Sequence, residues 1–120
     1  MLATLKEVLQ AAEDKKIAIG AFDTPNLESL CAAIAAAEEV ELPTIIMHAQ
    51  CHEELCPLDV IGPIMVERAK KARVPVCVML DHGEDLDYLK RSLEMGFTAV
   101  MYDGSTTPYR SEEHTSELQS

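Results

Sequence analysis

Apolar runs alternate with amphipathic stretches along the whole chain. The clearest run, Val74-Pro75-Val76-Cys77-Val78-Met79-Leu80, is apolar at every position and stops abruptly at Asp81-His82-Gly83. Such a run, with valine at every other position, reads as a strand buried on both faces, the kind found in parallel sheets. Similar runs at 17–22, 44–48 and 97–102 predict three more strands, and 76–80 is the most apolar of the four. The stretches between them have helical period instead. Thr4 and Glu7 make a capping box ahead of Leu5, Val8, Leu9 and Ala12, which share one face. Thr24-Pro25-Asn26 offers cap and first-turn proline chemistry for a helix with Leu27, Leu30, Cys31 and Ile34 on one stripe. A third helix is predicted over 59–72, carrying Ile61, Ile64, Met65, Ala69 and Ala72, and a fourth over 85–95, carrying Leu86, Leu89 and Leu93. Gly96 suits the left-handed position that ends the fourth.

Strand and helix in alternation are the signature of βα units with parallel strands. Strands that recur every ~20 to 30 residues match the repeat of a (β/α)8 barrel of about 250 residues. The predicted class is therefore α/β: an incomplete (β/α)8 TIM barrel, about its first four strands, with an N-terminal helix that covers or plugs one end. Four such strands leave two apolar edges open. The alternative, a small open α/β sheet, needs helices on both faces.

Composition narrows the class of function. A chain of 120 residues with 48% hydrophobic content has enough apolar mass for one core. Its formal net charge of -11 argues against nucleic acid or an anionic membrane surface as partner, since both need Lys and Arg patches. No stretch approaches the roughly 18 unbroken apolar residues of a membrane span, and Met1-Leu2-Ala3-Thr4-Leu5-Lys6-Glu7 lacks the pattern of a secretion signal. The expected compartment is the cytoplasm. Cys31, Cys51, Cys56 and Cys77 have no C-x-x-C spacing and are expected as reduced thiols.

The last eleven residues, Arg110-Ser111-Glu112-Glu113-His114-Thr115-Ser116-Glu117-Leu118-Gln119-Ser120, have no apolar period. They read as the translation of a common sequencing-library adapter. Residues 110–120 are therefore expected to be a non-native, disordered tail, and 1–109 the N-terminal part of a barrel cut in mid-course. Setting the tail aside removes one arginine and three glutamates, and the chain stays acidic.

Chemistry is expected where the buried strand ends, because in parallel α/β folds the loops at the carboxyl ends of strands carry the reactive groups. Asp81 and His82 stand there. On extended backbone their side chains point to opposite faces, but a turn at the strand end can bring both to one cavity. Bare Asp-His-Gly is a weak motif; Asp81 as a helix cap and His82 as a loop residue is the competing reading. A second candidate is the cluster His48, Cys51, His52 and Cys56, whose ligand types favour zinc but whose spacing is that of no zinc finger. It predicts either a loop lining the barrel mouth or, as the alternative function, a non-catalytic zinc-binding α/β module. The run Glu38-Glu39-Val40-Glu41 reads as a solvated helix end.

Four separated elements, Ile19-Gly20-Ala21-Phe22, Asn26-Leu27-Glu28, Leu80-Asp81-His82-Gly83 and Gly96-Phe97-Thr98-Ala99-Val100-Met101-Tyr102-Asp103-Gly104-Ser105, resemble the N-terminal part of class II, metal-dependent ketose-bisphosphate aldolases. The resemblance runs in order from Met1 to Tyr109. It implies a carbon–carbon lyase of carbohydrate metabolism and glycolysis, splitting a ketose 1,6-bisphosphate reversibly into glycerone phosphate and an aldehyde phosphate. By that resemblance Asp81 is the catalytic acid/base at the substrate C4 oxygen, and His82 ligates the catalytic zinc. Asp103 is implied at a second cation site, and Asp23 and Ser105 as substrate contacts. Zinc suits the chemistry as a Lewis acid on the ketose carbonyl, stabilising the enediolate left after cleavage. The Schiff-base alternative has no lysine at a strand end. The resemblance also implies a phosphorylated sugar as partner and a homo-oligomer for the full-length protein. The remaining metal ligands and the phosphate-binding glycine loop would lie past Tyr109, so this chain alone is expected to be inactive. Three positions depart from the family pattern. Asp23 stands where an Asn is usual, placing a negative charge beside a site meant for a phosphorylated sugar. Ala49 replaces a common Ser, and Met79 a common His.

Overall fold

A computed structural model describes residues 1–106 and 108. The tail expected at 110–120 lies outside the described residues, as does Tyr109. The elements run α1 (Leu5–Lys15), β1 (Ala21–Asp23), α2 (Leu27–Val40), β2 (Thr44–Ala49), a 3-10 turn (Gln50–His52), α3 (Leu58–Lys71), β3 (Val76–Gly83), α4 (Leu86–Glu94) and β4 (Ala99–Tyr102). The strands form one parallel sheet in the order β1-β2-β3-β4. That is the alternating βα architecture the sequence predicts, with β1 and β4 as its two edges.

Strand alternation divides the core in two. Ile46, Val76, Val78 and Leu80 join Leu30, Ile34, Leu58, Met65 and Leu89 in the layer between sheet and helices. Ile45 and Cys77 face the other way, with Ala3, Val8, Met47, Met79 and Ala99. Both faces of β3 are therefore buried, as its unbroken apolar run requires. α1 sits on this second face. Its start is fixed by the predicted capping box, in which Thr4 Oγ1 accepts the Glu7 N–H at 3.1 Å and Glu7 Oε1 accepts the Thr4 N–H at 3.1 Å. The segment before it is bonded to β3, since Ala3 N–H donates to Val76 O and Val76 N–H to Met1 O. Val8 is fully buried among Ala3, Ile45 and Cys77, so α1 covers the sheet at the amino end of its strands.

Several boundaries differ from the sequence expectation, each for a local reason. β1 begins at Ala21, not at residue 17, because Ile17 N–H is taken by Ala12 O in closing the C-terminus of α1 around left-handed Lys16. β4 begins at Ala99, because Phe97 N–H closes α4 by donating to Ser92 O; Gly96, at φ 113°, makes that turn as predicted. Asn26, not Thr24, caps α2, so Pro25 stands before the cap and not in the first turn. In α4 the buried face is Tyr88, Leu89 and Ser92, while Leu93 is half exposed. The leucine spacing misled because a tyrosine and a serine with satisfied hydroxyls take the inner positions. Ile64, expected on the α3 stripe, is also partly exposed.

Replacing Thr4 by Ala should cost about 1 kcal/mol, because it strips the N-cap of the helix that seals one face of the sheet. Urea unfolding followed by circular dichroism checks this: a lower midpoint with an unchanged slope is the expected result.

Candidate active site

The carboxyl ends of the strands collect the acids and imidazoles. β2 and β3 are paired without interruption from Thr44 opposite Val76 to Ala49 opposite Asp81, and β1 aligns Asp23 with Met47. Residues in register share a face, so Asp23 and Asp81 point to the same side as Met47, Met79 and Ala99, away from the helices. On the intervening strand Met47 stands opposite Asp23 and Ala49 opposite Asp81. The two carboxyl groups are consequently within hydrogen-bonding reach of each other. Burial, then the Asp81 charge and hydrogen bond, push the Asp23 carboxyl above its ordinary range, with His52 and His82 opposing.

His82 reaches the same side by a backbone device. Adjacent strand residues normally face opposite ways, but His82 adopts left-handed backbone at φ 49°, and the β3–β4 register shifts between Leu80 and Gly83. The extra residue is a β-bulge, and the kink swings the imidazole back. Its Nε2 lies 3.7 Å from Asp81 Oδ1, and its Nδ1 lies 3.1 Å from Asp103 Oδ2. A non-glycine residue in this region is strained by roughly 1 kcal/mol or more, a cost that clusters at functional sites. Gly83 has its own reason: a Cβ there would meet Leu89 Cδ1 at 2.5 Å and Leu80 Cδ2 at 2.7 Å. Its carbonyl accepts Asp103 N–H at 2.7 Å, which ties the end of β3 to the loop after β4.

Asp103 orients His82. Its Oδ1 accepts the Ser105 N–H at 3.0 Å and its Oδ2 faces the imidazole. Hydrogen bonds from Ser105, then from His82, hold the Asp103 carboxyl below the usual range. The Asp103 hydrogen bond and then the Asp81 charge raise the His82 imidazole above its ordinary value. A carboxylate on Nδ1 fixes the tautomer with Nε2 free, the arrangement by which histidine ligands are held for metals. His82 thus fits as one metal ligand. Among the described residues no three His, Cys, Asp or Glu side chains converge as a metal-binding group.

The cluster His48, Cys51, His52 and Cys56 is accordingly not assembled as a zinc site, and His48 has a different role. It is fully buried, stacks on Tyr88 at a 6.5 Å centroid separation, and its Nε2 lies 3.1 Å from the Tyr88 hydroxyl. That hydroxyl donates its only proton to Glu53 Oε1 at 2.7 Å, so the His48 Nε2–H must donate to Tyr88. His48 Nδ1 is then a buried, bare lone pair with no hydrogen-bond partner. Burial lowers the His48 pKa, in keeping with a neutral ring. Burial alone would raise Glu53, but bonds from Leu58 N–H and the Tyr88 hydroxyl outweigh it. The network ties the loop after β2 to the start of α3 and to α4. Gln50 adds a second tie: its Oε1 accepts Glu84 N–H at 2.8 Å and Asp85 N–H at 3.3 Å, fastening the turn that follows His82. Sequence reasoning did not single out Tyr88, Glu53 or Gln50. The signal was His48 itself, a polar residue that follows the apolar Ile45, Ile46 and Met47 in β2.

Asp23, Asp81, His82 and Asp103 therefore meet at one end of the sheet, while Ser105 contributes its backbone N–H to Asp103 and its residue is exposed. A carboxylate beside an imidazole with one free nitrogen suits proton transfer next to a bound cation.

Known proteins resemble this chain over nearly all of its length. The family model described as fructose-bisphosphate aldolase class-II matches residues 3–117. A fructose-bisphosphate aldolase of Thermus caldophilus is 37% identical over 105 residues, which are 88% of this chain and 34% of that protein. A 6-phospho-5-dehydro-2-deoxy-D-gluconate aldolase of Halalkalibacterium halodurans is 33% identical over 112 residues, 89% of this chain and 38% of that protein. Among solved structures, the YdjI aldolase from Escherichia coli K12 superposes with a TM-score of 0.83 at 28% identity, covering 98% of this chain and 49% of the other. The chain thus spans a third to two fifths of these curated relatives and about half of that structure.

Because folding raises the His82 pKa, the pair with Asp103 stabilises the fold fully below the unfolded value of about 6.5, and that contribution is lost as pH rises through the folded value. In the metal-free chain, 15N-detected NMR should show His82 titrating above 6.5. Asp103→Asn should lower its midpoint; a midpoint unmoved by that substitution contradicts the pairing.

Proposed function

This chain belongs to the class-II fructose-bisphosphate aldolase family, and on that footing we propose that it is the N-terminal part of a metal-dependent aldolase that splits a phosphorylated ketose into glycerone phosphate and an aldehyde. The carrying observation is the kinked end of β3, which puts Asp81 and His82 on one side with Asp103 behind the imidazole. Relatives of this family act, by their names, on fructose bisphosphate, a phospho-dehydro-deoxygluconate and a sulfofructose phosphate. Each name keeps a phosphate, so a phosphorylated sugar is the substrate class proposed here.

His82 would hold the catalytic zinc through Nε2, with the other ligands supplied from beyond the described residues. Zinc supplies a Lewis acid for the ketose carbonyl. Asp81 takes the proton of the C4 hydroxyl as the adjacent carbon–carbon bond breaks, and returns it in the condensation direction. Asp23, within hydrogen-bonding reach of Asp81, holds that carboxylate toward the substrate. Asp103 keeps His82 in the metal-binding tautomer and is the residue proposed for a second cation, while the exposed Ser105, whose hydroxyl and N–H both bond Asp103, is a proposed substrate contact. A cytoplasmic homo-oligomer is the proposed form of the longer protein.

The test uses a longer polypeptide obtained by extending the reading frame past Tyr109. It should condense glycerone phosphate with an aldehyde, lose activity to a chelator and regain it with zinc. Asp81→Asn should lower kcat by about 10²- to 10⁴-fold, and residues 1–120 alone should show no turnover. Full activity of the Asp81→Asn protein contradicts the assigned role.

A further inference from the structure

β2 ends before the kink in β3 is complete. The last registered pair of the two strands is Ala49 with Asp81, after which the chain turns away through the 3-10 segment Gln50–His52. The backbone N–H groups of Glu84 and Asp85, just past the left-handed His82, lie beyond that last pair. A single side chain serves both: Gln50 Oε1 accepts Glu84 N–H at 2.8 Å and Asp85 N–H at 3.3 Å. Both partners are donors, so only the oxygen of the amide can face them.

The amide is itself anchored. Gln50 follows directly on the strand residue paired with Asp81, and its carbonyl accepts Glu53 N–H at 3.0 Å. Glu53 is held in turn by Leu58 N–H and the Tyr88 hydroxyl. On the other flank of β3, Asp103 N–H donates to Gly83 O at 2.7 Å, and the Asp103 carboxylate meets His82 Nδ1. Residues 82–85 are thus gripped from the loops after β2 and β4. A histidine at φ 49° persists only where its surroundings over-determine the backbone, and Gln50 is the tie on the β2 side.

Both Gln50 hydrogen bonds are solvent-exposed, so water replaces them at little cost to global stability if the side chain is removed. Water does not hold the turn to one geometry. Groups that fix the orientation of a histidine ligand from outside the coordination sphere govern metal affinity by that means. Resting on the aldolase reading above, we infer that Gln50 is a positioning residue for the metal centre: its side-chain oxygen takes the place of a further strand carbonyl, fixes the turn after His82 and so aims the imidazole.

Two substitutions in the longer polypeptide test this. Gln50→Met keeps the length of the side chain and removes the acceptor, whereas Gln50→Glu keeps the acceptor. In the metal-free protein, Gln50→Met should speed hydrogen exchange of the Glu84 and Asp85 amides by about tenfold or more, with the urea midpoint little changed. Its zinc affinity should fall about 10- to 100-fold. Gln50→Glu should retain both the slow exchange and the zinc affinity. Undiminished zinc affinity in Gln50→Met, an equal loss in Gln50→Glu, or a loss matched by a fall in the urea midpoint overturns the inference while leaving the aldolase reading intact. Neither zinc binding nor condensation by the unsubstituted longer polypeptide overturns both.

Discussion

Uninterrupted parallel pairing of β2 with β3 is the constraint from which the rest of the molecule follows. Six registered pairs, from Thr44 and Val76 to Ala49 and Asp81, decide which side chains meet the helices and which face the interior. A slip of one residue would turn Asp81 into the helix layer and Leu80 out of it. The register is protected by burial on both faces: Val78 and Leu80 pack under α3 and α4, while Cys77 and Met79 pack against the α1 side. Asp81 is the first side chain of this face to stand beyond the apolar rows. Its position is a consequence of the hydrophobic core.

The departure from regular pairing is as consequential as the pairing itself. A straight strand would send Asp81 and His82 to opposite faces. The left-handed His82 and the bulge against β4 bring them together, and the Gly83–Asp103 and Gln50–Glu84 hydrogen bonds hold the kink in place. Backbone strain at His82 is thus maintained by contacts on both neighbouring strands' loops. The Glu53–Tyr88–His48 network, buried at His48 and part-buried at Glu53, stiffens the same region from behind.

Much of this was legible in the sequence because it rests on periodicity and capping. The apolar run ending at Asp81 marked β3, Thr4 and Glu7 marked the start of α1, and Gly96 marked the exit from α4, all as observed. The early part of the 17–22 run was misread because Ile17 and Ile19 are apolar for different reasons, one beside a helix terminus and the other packed against the α1 side. The role of His48 was hidden because a buried histidine and a ligand histidine look alike until Tyr88, forty residues on, is placed against it. The meeting of Asp23 with Asp81 depends on two strand registers, which a linear pattern does not specify.

The central claim is that His82 is one ligand of a metal centre whose other ligands come from outside the described residues. Zinc titration by calorimetry, on residues 1–120 and on the longer polypeptide, tests it most directly. Weak binding by the chain, tight stoichiometric binding by the longer protein, and loss of that binding on His82→Ala are the predicted results. Tight one-to-one binding by residues 1–120 that is lost on Cys51→Ala and survives His82→Ala would contradict the account.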